Sequence, residues 1–117
     1  MRHQNKNKIL DRKKGPRTAL IKNLADAVIL FEKVKTTKAK AQVIKPYVER
    51  LITRAAKNDL ATNRYFKTKL NSAKAIKKLL EVYGPKFKEI KGGYLKIIKI
   101  GDRKGDGAEM VYLTFSK

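Results

Sequence analysis

The chain has no cysteine, no tryptophan and a single histidine, and it carries only 10 acidic residues against 30 Lys and Arg. Without cysteine there are no disulfides, thiolate metal sites or cysteine nucleophiles, which fits a reducing compartment. One imidazole leaves no room for zinc sites built on several histidines. That residue, His3, lies in a basic stretch with no carboxylate held beside it, so it lacks the positioning that general acid–base work requires. No apolar run approaches the roughly 20 residues that cross a bilayer. The start MRHQNKNKIL is basic without an apolar h-region, which predicts no signal peptide. The expectation is a soluble intracellular protein.

What is present is charge and a core. The 117 residues fit one compact domain, and 42% hydrophobic residues are enough to build its interior. The net charge of +20 is about one surplus positive charge for every six residues. Self-repulsion at that density favours a polyanionic partner. A membrane surface would call for a strongly apolar helix face with aromatic anchors, and the apolar stripes here are better explained as core. Nucleic acid is therefore the expected partner, with phosphate neutralisation as the source of affinity. Lysine outnumbers arginine, which favours contact with many phosphates over bidentate reading of bases. Composition does not separate RNA from DNA.

Residues 1–15 hold Arg2, Lys6, Lys8, Arg12, Lys13 and Lys14 against one acid, Asp11. With so few apolar residues this stretch cannot offset its own ordering entropy, so it reads as an extended basic arm that orders on a partner. The rest, 16–117, reads as a single domain. Gly15-Pro16 opens a helix to about residue 31, with Leu20, Leu24, Ala27, Val28 and Phe31 expected inside and Lys22, Asn23 and Asp26 outside. Val34–Thr37 is a brief strand. Thr37 caps a helix over about 38–57, burying Ala41, Ile44, Val48, Leu51, Ile52 and Ala55. Pro46 should kink or split it. A weaker helix covers about 61–69, and Ser72 caps a fourth to about Tyr83, with Ile76, Leu79, Leu80 and Tyr83 inward. Gly84-Pro85 is expected to end it. Two β-rich runs, 94–100 and 110–115, flank a polar Gly-rich loop and predict an antiparallel hairpin. Lys96 and Lys99 fall on opposite faces of the first run, which predicts a bulge.

No reaction class is supported. The loop 102–107 lacks the alternating ligands and closing Glu of a calcium loop. The glycines match neither a Walker loop nor a dinucleotide fingerprint, and Ser72 and Ser116 have no neighbouring base. No metal or cofactor is expected. The cations are more informative. Lys33, Lys35, Lys38 and Lys40 surround Thr36-Thr37 at a helix N-terminus, where free N–H groups suit a phosphate. Lys86, Lys88, Lys91, Lys96, Lys99, Arg103 and Lys104 surround Gly92-Gly93-Tyr94, where glycines admit a close phosphate backbone. Tyr94 is open to two readings, a stacking partner for a base or a core residue of the first hairpin strand.

The order of several short motifs resembles a known family. These are Met1-Arg2-His3, Phe31–Thr37, Ala39-Lys40-Ala41, Leu51–Ala55, Tyr83–Phe87, Gly92-Gly93-Tyr94 and Gly101–Gly107. Together they are similar to ribosomal protein seventeen of the bacterial large subunit, across essentially the whole chain. The resemblance implies a two-layer α+β domain in the order α-β-α-α-α-β-β with a small mixed three-stranded sheet. It implies a structural, non-enzymatic role in the cytoplasmic ribosome, bound to large-subunit ribosomal RNA beside neighbouring proteins near the nascent-chain exit. It puts RNA contacts on Arg2, His3, Arg12 and Arg17, on Thr36, Thr37 and Lys40, and on Gly92, Gly93, Tyr94, Leu95, Lys96 and Arg103. The sequence departs from the family pattern at Leu95-Lys96, at Glu89-Ile90 and in the depth of Pro46. The competing readings are a free architectural nucleic-acid-binding protein and, with no visible carboxylate pair or cleft histidine to support it, an enzyme acting on RNA.

Overall fold

Helix α1 (Lys14–Phe31) leads through a tight turn into strand β1 (Lys33–Thr37), and helix α2 (Lys38–Ala55) follows at once. The structure, a computed structural model, describes residues 13–57, 59–90 and 92–116. Helix α3 is Leu60–Lys69, and α4 (Ala73–Lys78) runs on through a π turn at Leu79–Tyr83 and a last turn at Gly84–Lys86. Strands β2 (Leu95–Asp102) and β3 (Glu109–Phe115) complete the chain. The succession is the α-β-α-α-α-β-β expected from sequence.

The sheet has the order β1-β3-β2, and both pairings are antiparallel. This corrects the mixed sheet implied by the resemblance. The hairpin fixes β2 against β3, and β1 joins the free side of β3 in the opposite sense. The outcome suits a sheet with one face on helices and one in water, the usual habit of antiparallel rather than parallel ladders.

Helix α2 is the centre of the core. Ala41, Ile44, Val48, Leu51, Ile52 and Ala55 are all buried, as their spacing predicts. It packs on α1, on the π turn and on the inner face of the sheet. Thr37 caps it, its hydroxyl accepting from Lys40 N–H at 3.5 Å. Pro46 does not split the helix, which is continuous from Lys38 to Ala55. The proline faces solvent, on the side where water can stand in for the helical bond that a proline cannot make. Asp59 caps α3 through Thr62 N–H at 2.8 Å, and Ser72 caps α4 through Ala75 N–H at 3.3 Å.

Two expectations fail on α1. Phe31 is 71% exposed and Asp26 is only 8% exposed. The buried residues are Ala25, Asp26, Val28 and Ile29, a stripe turned by about one residue from the expected one. Apolar residues run nearly all round this helix, so periodicity does not choose the inner side. Asp26 goes inside because its carboxylate accepts from Asn71 N–H at 3.2 Å, pinning the α3–α4 connection. Burial pushes its pKa up, opposed by the N–H groups of Asn71 and Ser72.

Gly84-Pro85 does not stop the fourth helix. Gly84 is helical, with φ −54 and ψ −58. A Cβ there would stand 2.9 Å from the carbonyl oxygen of Ala55. The glycine is a contact point between two helices rather than a terminator. The π turn, in which Gly84 N–H reaches back to Leu79 O, carries the chain past Pro85. Behind it an aromatic cluster closes the core: Tyr83 on Phe115 at 4.5 Å, Phe87 on Tyr94 at 5.0 Å and Phe87 on Phe115 at 5.9 Å between ring centres.

Candidate nucleic-acid interface

Arg2, His3, Lys6, Lys8, Arg12 and Lys91 lie outside the described residues. The remaining candidates fall into four places. At the start of α1, Lys13, Lys14 and Arg17 flank a helix end with no side-chain cap and no acid in its first turn. Its leading N–H groups point at whatever approaches, and their partial positive charge adds to that of the lysines.

At the β1–α2 junction the two threonines are committed to the fold. Thr36 is buried, and the hydroxyl of Thr37 is the α2 cap. The expectation that both contact RNA is thus corrected for the Thr36 side chain, which faces the interior, while the Thr37 hydroxyl already serves the helix. The cations of the junction, Lys35, Lys38 and Lys40, are what it offers outward.

The third place joins clusters far apart in sequence. Lys38 and Lys99 both reach Glu109 of β3, at 3.6 and 3.2 Å. The two lysines hold the Glu109 carboxyl below its ordinary range, Lys99 contributing most. A bulge does interrupt β2, between Lys99 and Gly101. It comes after both Lys96 and Lys99, so it does not bring them to one face. Lys96 shares a row with Thr114 and Lys33, whereas Lys99 stands opposite Val111 and meets Glu109 beside the start of α2. In the loop that follows, Arg103 Nε pairs with Asp106 Oδ1 at 3.1 Å. That guanidinium holds the Asp106 carboxyl down at about 2, helped by Ala108 N–H. Arg103 therefore closes the loop with part of its donor set, and Lys104 at the tip is exposed.

The fourth place is the Gly92-Gly93-Tyr94 corner. Gly92 and Gly93 have φ of +97 and +68, and nothing stands within 4 Å of where a Cβ would be. Glycine is needed here for the left-handed backbone, and it leaves the backbone open to an approaching phosphate. Tyr94 is settled in favour of the core reading. It is 2% exposed, its hydroxyl donates to Ile90 O at 2.9 Å and lies 3.1 Å from Thr53 Oγ1, and its ring packs on Phe87. A base cannot stack on it. Ser116 Oγ donates to Gly93 O at 2.8 Å, tying the corner to the end of β3.

Sequence reasoning missed Arg50, Arg54 and Lys57, which line an open groove of about 540 Å³ beside this corner, with Tyr65 and Gly92. Arg54 lies over the Tyr65 ring, 4.2 Å from its centre. Their spacing of four and three, along α2 and just past its end, opposite the apolar stripe, was the available signal. Among the described residues no three His, Asp or Glu side chains come together as metal ligands would, and no helix is long and apolar enough to cross a membrane.

The family model described as Ribosomal protein L17 matches residues 20–116. The chain belongs to this family. It is 46% identical to the large ribosomal subunit protein bL17 of Campylobacter concisus (strain 13826), over 97% of this chain and 96% of that one. It is 42% identical to the protein of the same name from Hydrogenobaculum sp. (strain Y04AAS1), over 98% of each chain. The corresponding protein of Rickettsia bellii (strain OSU 85-389) is 40% identical, over 98% of this chain and 81% of its own length. The resemblance read from short motifs is thus a family relationship over the whole folded region.

Proposed function

We propose that the chain binds ribosomal RNA through phosphate-directed cations on its arm and loops, and so supports assembly of the large subunit and translation. As a member of the L17 family it is a structural constituent of the large ribosomal subunit, not an enzyme, and its place is the ribosome in the cytoplasm. The observation that carries the reading is a family match over residues 20–116 in a chain of net charge +20. In this reading residues 1–15 act as a basic arm and 16–117 as the RNA-binding domain. Contacts come from Arg2, His3, Lys6, Lys8, Arg12, Lys13, Lys14 and Arg17, from the junction cations Lys35, Lys38 and Lys40, from the backbone at Gly92-Gly93 with Lys91, and from Lys96, Lys99, Arg103 and Lys104. The ion pairs of Lys38, Lys99 and Arg103 lie at the surface, where such pairs are weak and exchange readily for phosphate. The same reading puts neighbouring large-subunit proteins and the nascent-chain exit beside it.

The test is sedimentation of a cell extract on a sucrose gradient at increasing salt. Comigration with the large subunit until salt is high is the expected result, since phosphate contacts weaken steeply with ionic strength. A protein left at the top of the gradient, or following chromosomal DNA once ribosomes are removed, would instead support a free architectural nucleic-acid-binding protein.

A further inference from the structure

The sheet presents one face to the helices and the other to solvent. Residues directly opposite in an antiparallel ladder point to the same side, so the register sorts the strands into rows. Val34, Leu113 and Ile97 form one row of the inner side, and Phe115 with Leu95 another. Lys33, Thr114 and Lys96 form a row of the outer side, and Lys35, Tyr112 and Ile98 the next. Tyr112 therefore stands on the middle strand at the centre of the outer face, with lysines on both edge strands.

This ring is unlike those of the core. It is only partly covered, and Lys33 Nζ stands over it, 4.1 Å from its centre. The outward face of the ring is thus reachable, and what rests on it is an exposed, flexible cation. Lys35 and Lys96 are exposed, and among the described residues neither forms an ion pair. Glu109 belongs to the inner-side alternation and is already engaged by Lys38 and Lys99. The centre of the outer face is an aromatic and aliphatic floor, Tyr112 with Ile98, between cationic walls, and among the described residues these two rows hold no carboxylate.

We propose that this face is a stacking platform for an unpaired RNA base. The base lies on Tyr112, with Ile98 as the adjoining floor, and Lys33, Lys35 and Lys96 meet the phosphates on either side. This rests on the RNA-binding reading above and sharpens it by naming the class of RNA: single-stranded or bulged nucleotides. A regular A-form duplex displays phosphates and sugar edges but no free base face, so it can use the lysines and not the ring. An acidic protein segment fits less well, because the negative face of an aromatic ring repels a carboxylate, whereas any base can stack on it.

The chain has no tryptophan, so Tyr112→Trp installs a single indole fluorophore at the site. Full-length protein is titrated with a short mixed-sequence single-stranded RNA and with a blunt RNA duplex. Tyr112→Phe, which keeps the ring, should bind both like the parent. Tyr112→Leu should lose about tenfold in affinity for the single strand, as expected for one lost base stack, with the duplex almost unaffected. The indole fluorescence of Tyr112→Trp should be quenched on saturation with the single strand. Replacing Lys35 or Lys96 by Ala should reduce the salt slope for the single strand by about 0.7 each. Unchanged affinity in Tyr112→Leu, or an unquenched indole at saturation in Tyr112→Trp, overturns the platform, and the quenching decides the matter should the Leu variant fold poorly. Tyr112-dependent binding of polyglutamate in place of RNA would overturn it in favour of a protein partner. These failures would leave RNA binding elsewhere on the chain intact. A parent protein that shows no preference for large-subunit ribosomal RNA over duplex DNA would instead remove the wider reading.

Discussion

Tyr94 and Tyr112 belong to the same three-stranded sheet region and meet opposite fates. On the helix side Tyr94 is enclosed, its hydroxyl shared between Ile90 and Thr53 and its ring set against Phe87. On the solvent side Tyr112 is half-covered and touched by a lysine. The inner side encloses its large rings and ties the Tyr83 and Tyr94 hydroxyls to backbone carbonyls, and it gives the protein its shape. The outer side and the loops hold cations that are exposed or tied only by surface contacts, and there the +20 charge becomes affinity for a polyanion. Substitutions inside should therefore cost stability and spare the salt dependence of RNA binding, while substitutions outside should do the reverse.

The largest expected effect is inside. Tyr83→Ala removes a fully buried ring stacked on Phe115 and strands the bond to Ile29 O, and chemical denaturation should show a loss of about 3–5 kcal/mol. Gly84→Ala comes next. Its Cβ would meet the Ala55 carbonyl oxygen at 2.9 Å, with an ordinary helical φ, so the penalty is steric and of the order of 1–3 kcal/mol. A melting temperature equal to the parent's would show that α2 and the π turn yield easily.

Asp26 inside and Asp106 outside respond to pH in opposite senses. Burial raises the Asp26 pKa, so its stabilising contribution is full below the unfolded value and declines as pH rises through the folded one. Asp26→Ala leaves the N–H groups of Asn71 and Ser72 without that acceptor and should cost about 1–3 kcal/mol, with its pH-dependent part of that sign. Asp106 is the opposite case. Its pKa is lowered to about 2, so the order it gives the loop is present above the unfolded carboxylate range and is lost as pH falls toward 2. The Ala108 amide resonance should follow that titration, and Asp106→Asn should abolish it with little change in global stability. This is the smallest effect, since the pair is exposed.

Much of this was legible in the sequence, for a physical reason in each case. Helix α2 could be read because its six buried residues recur at spacings of three and four and its opposite side is mostly polar, so the 3.6-residue period is clear. The alternation of Val111, Leu113 and Phe115 likewise turns Tyr112 and Thr114 outward. Helix α1 could not be read as well, because residues such as Leu20, Ile21, Leu24, Ile29, Leu30 and Phe31 surround it. The inner place of Asp26 depends on Asn71, 45 positions away, and no local pattern carries that. Gly84-Pro85 looked like a stop because local propensity says so, while the close approach to Ala55 is a tertiary fact. At the interface the cation clusters were visible, but not that β3 would bring Lys38 and Lys99 onto one glutamate. Nor was it visible that Tyr94, open to two readings, would be enclosed.

In this reading the cations outside the core hold the RNA phosphates. This is tested most directly by the affinity of the full chain for a large-subunit ribosomal RNA fragment over a series of salt concentrations. The same series is run on a chain lacking residues 1–12. The expected result is a steep linear fall of log K with log salt, of slope about −5 or steeper, clearly shallower for the shortened chain at nearly unchanged melting temperature. A flat dependence, or a slope untouched by removing the arm, would contradict it.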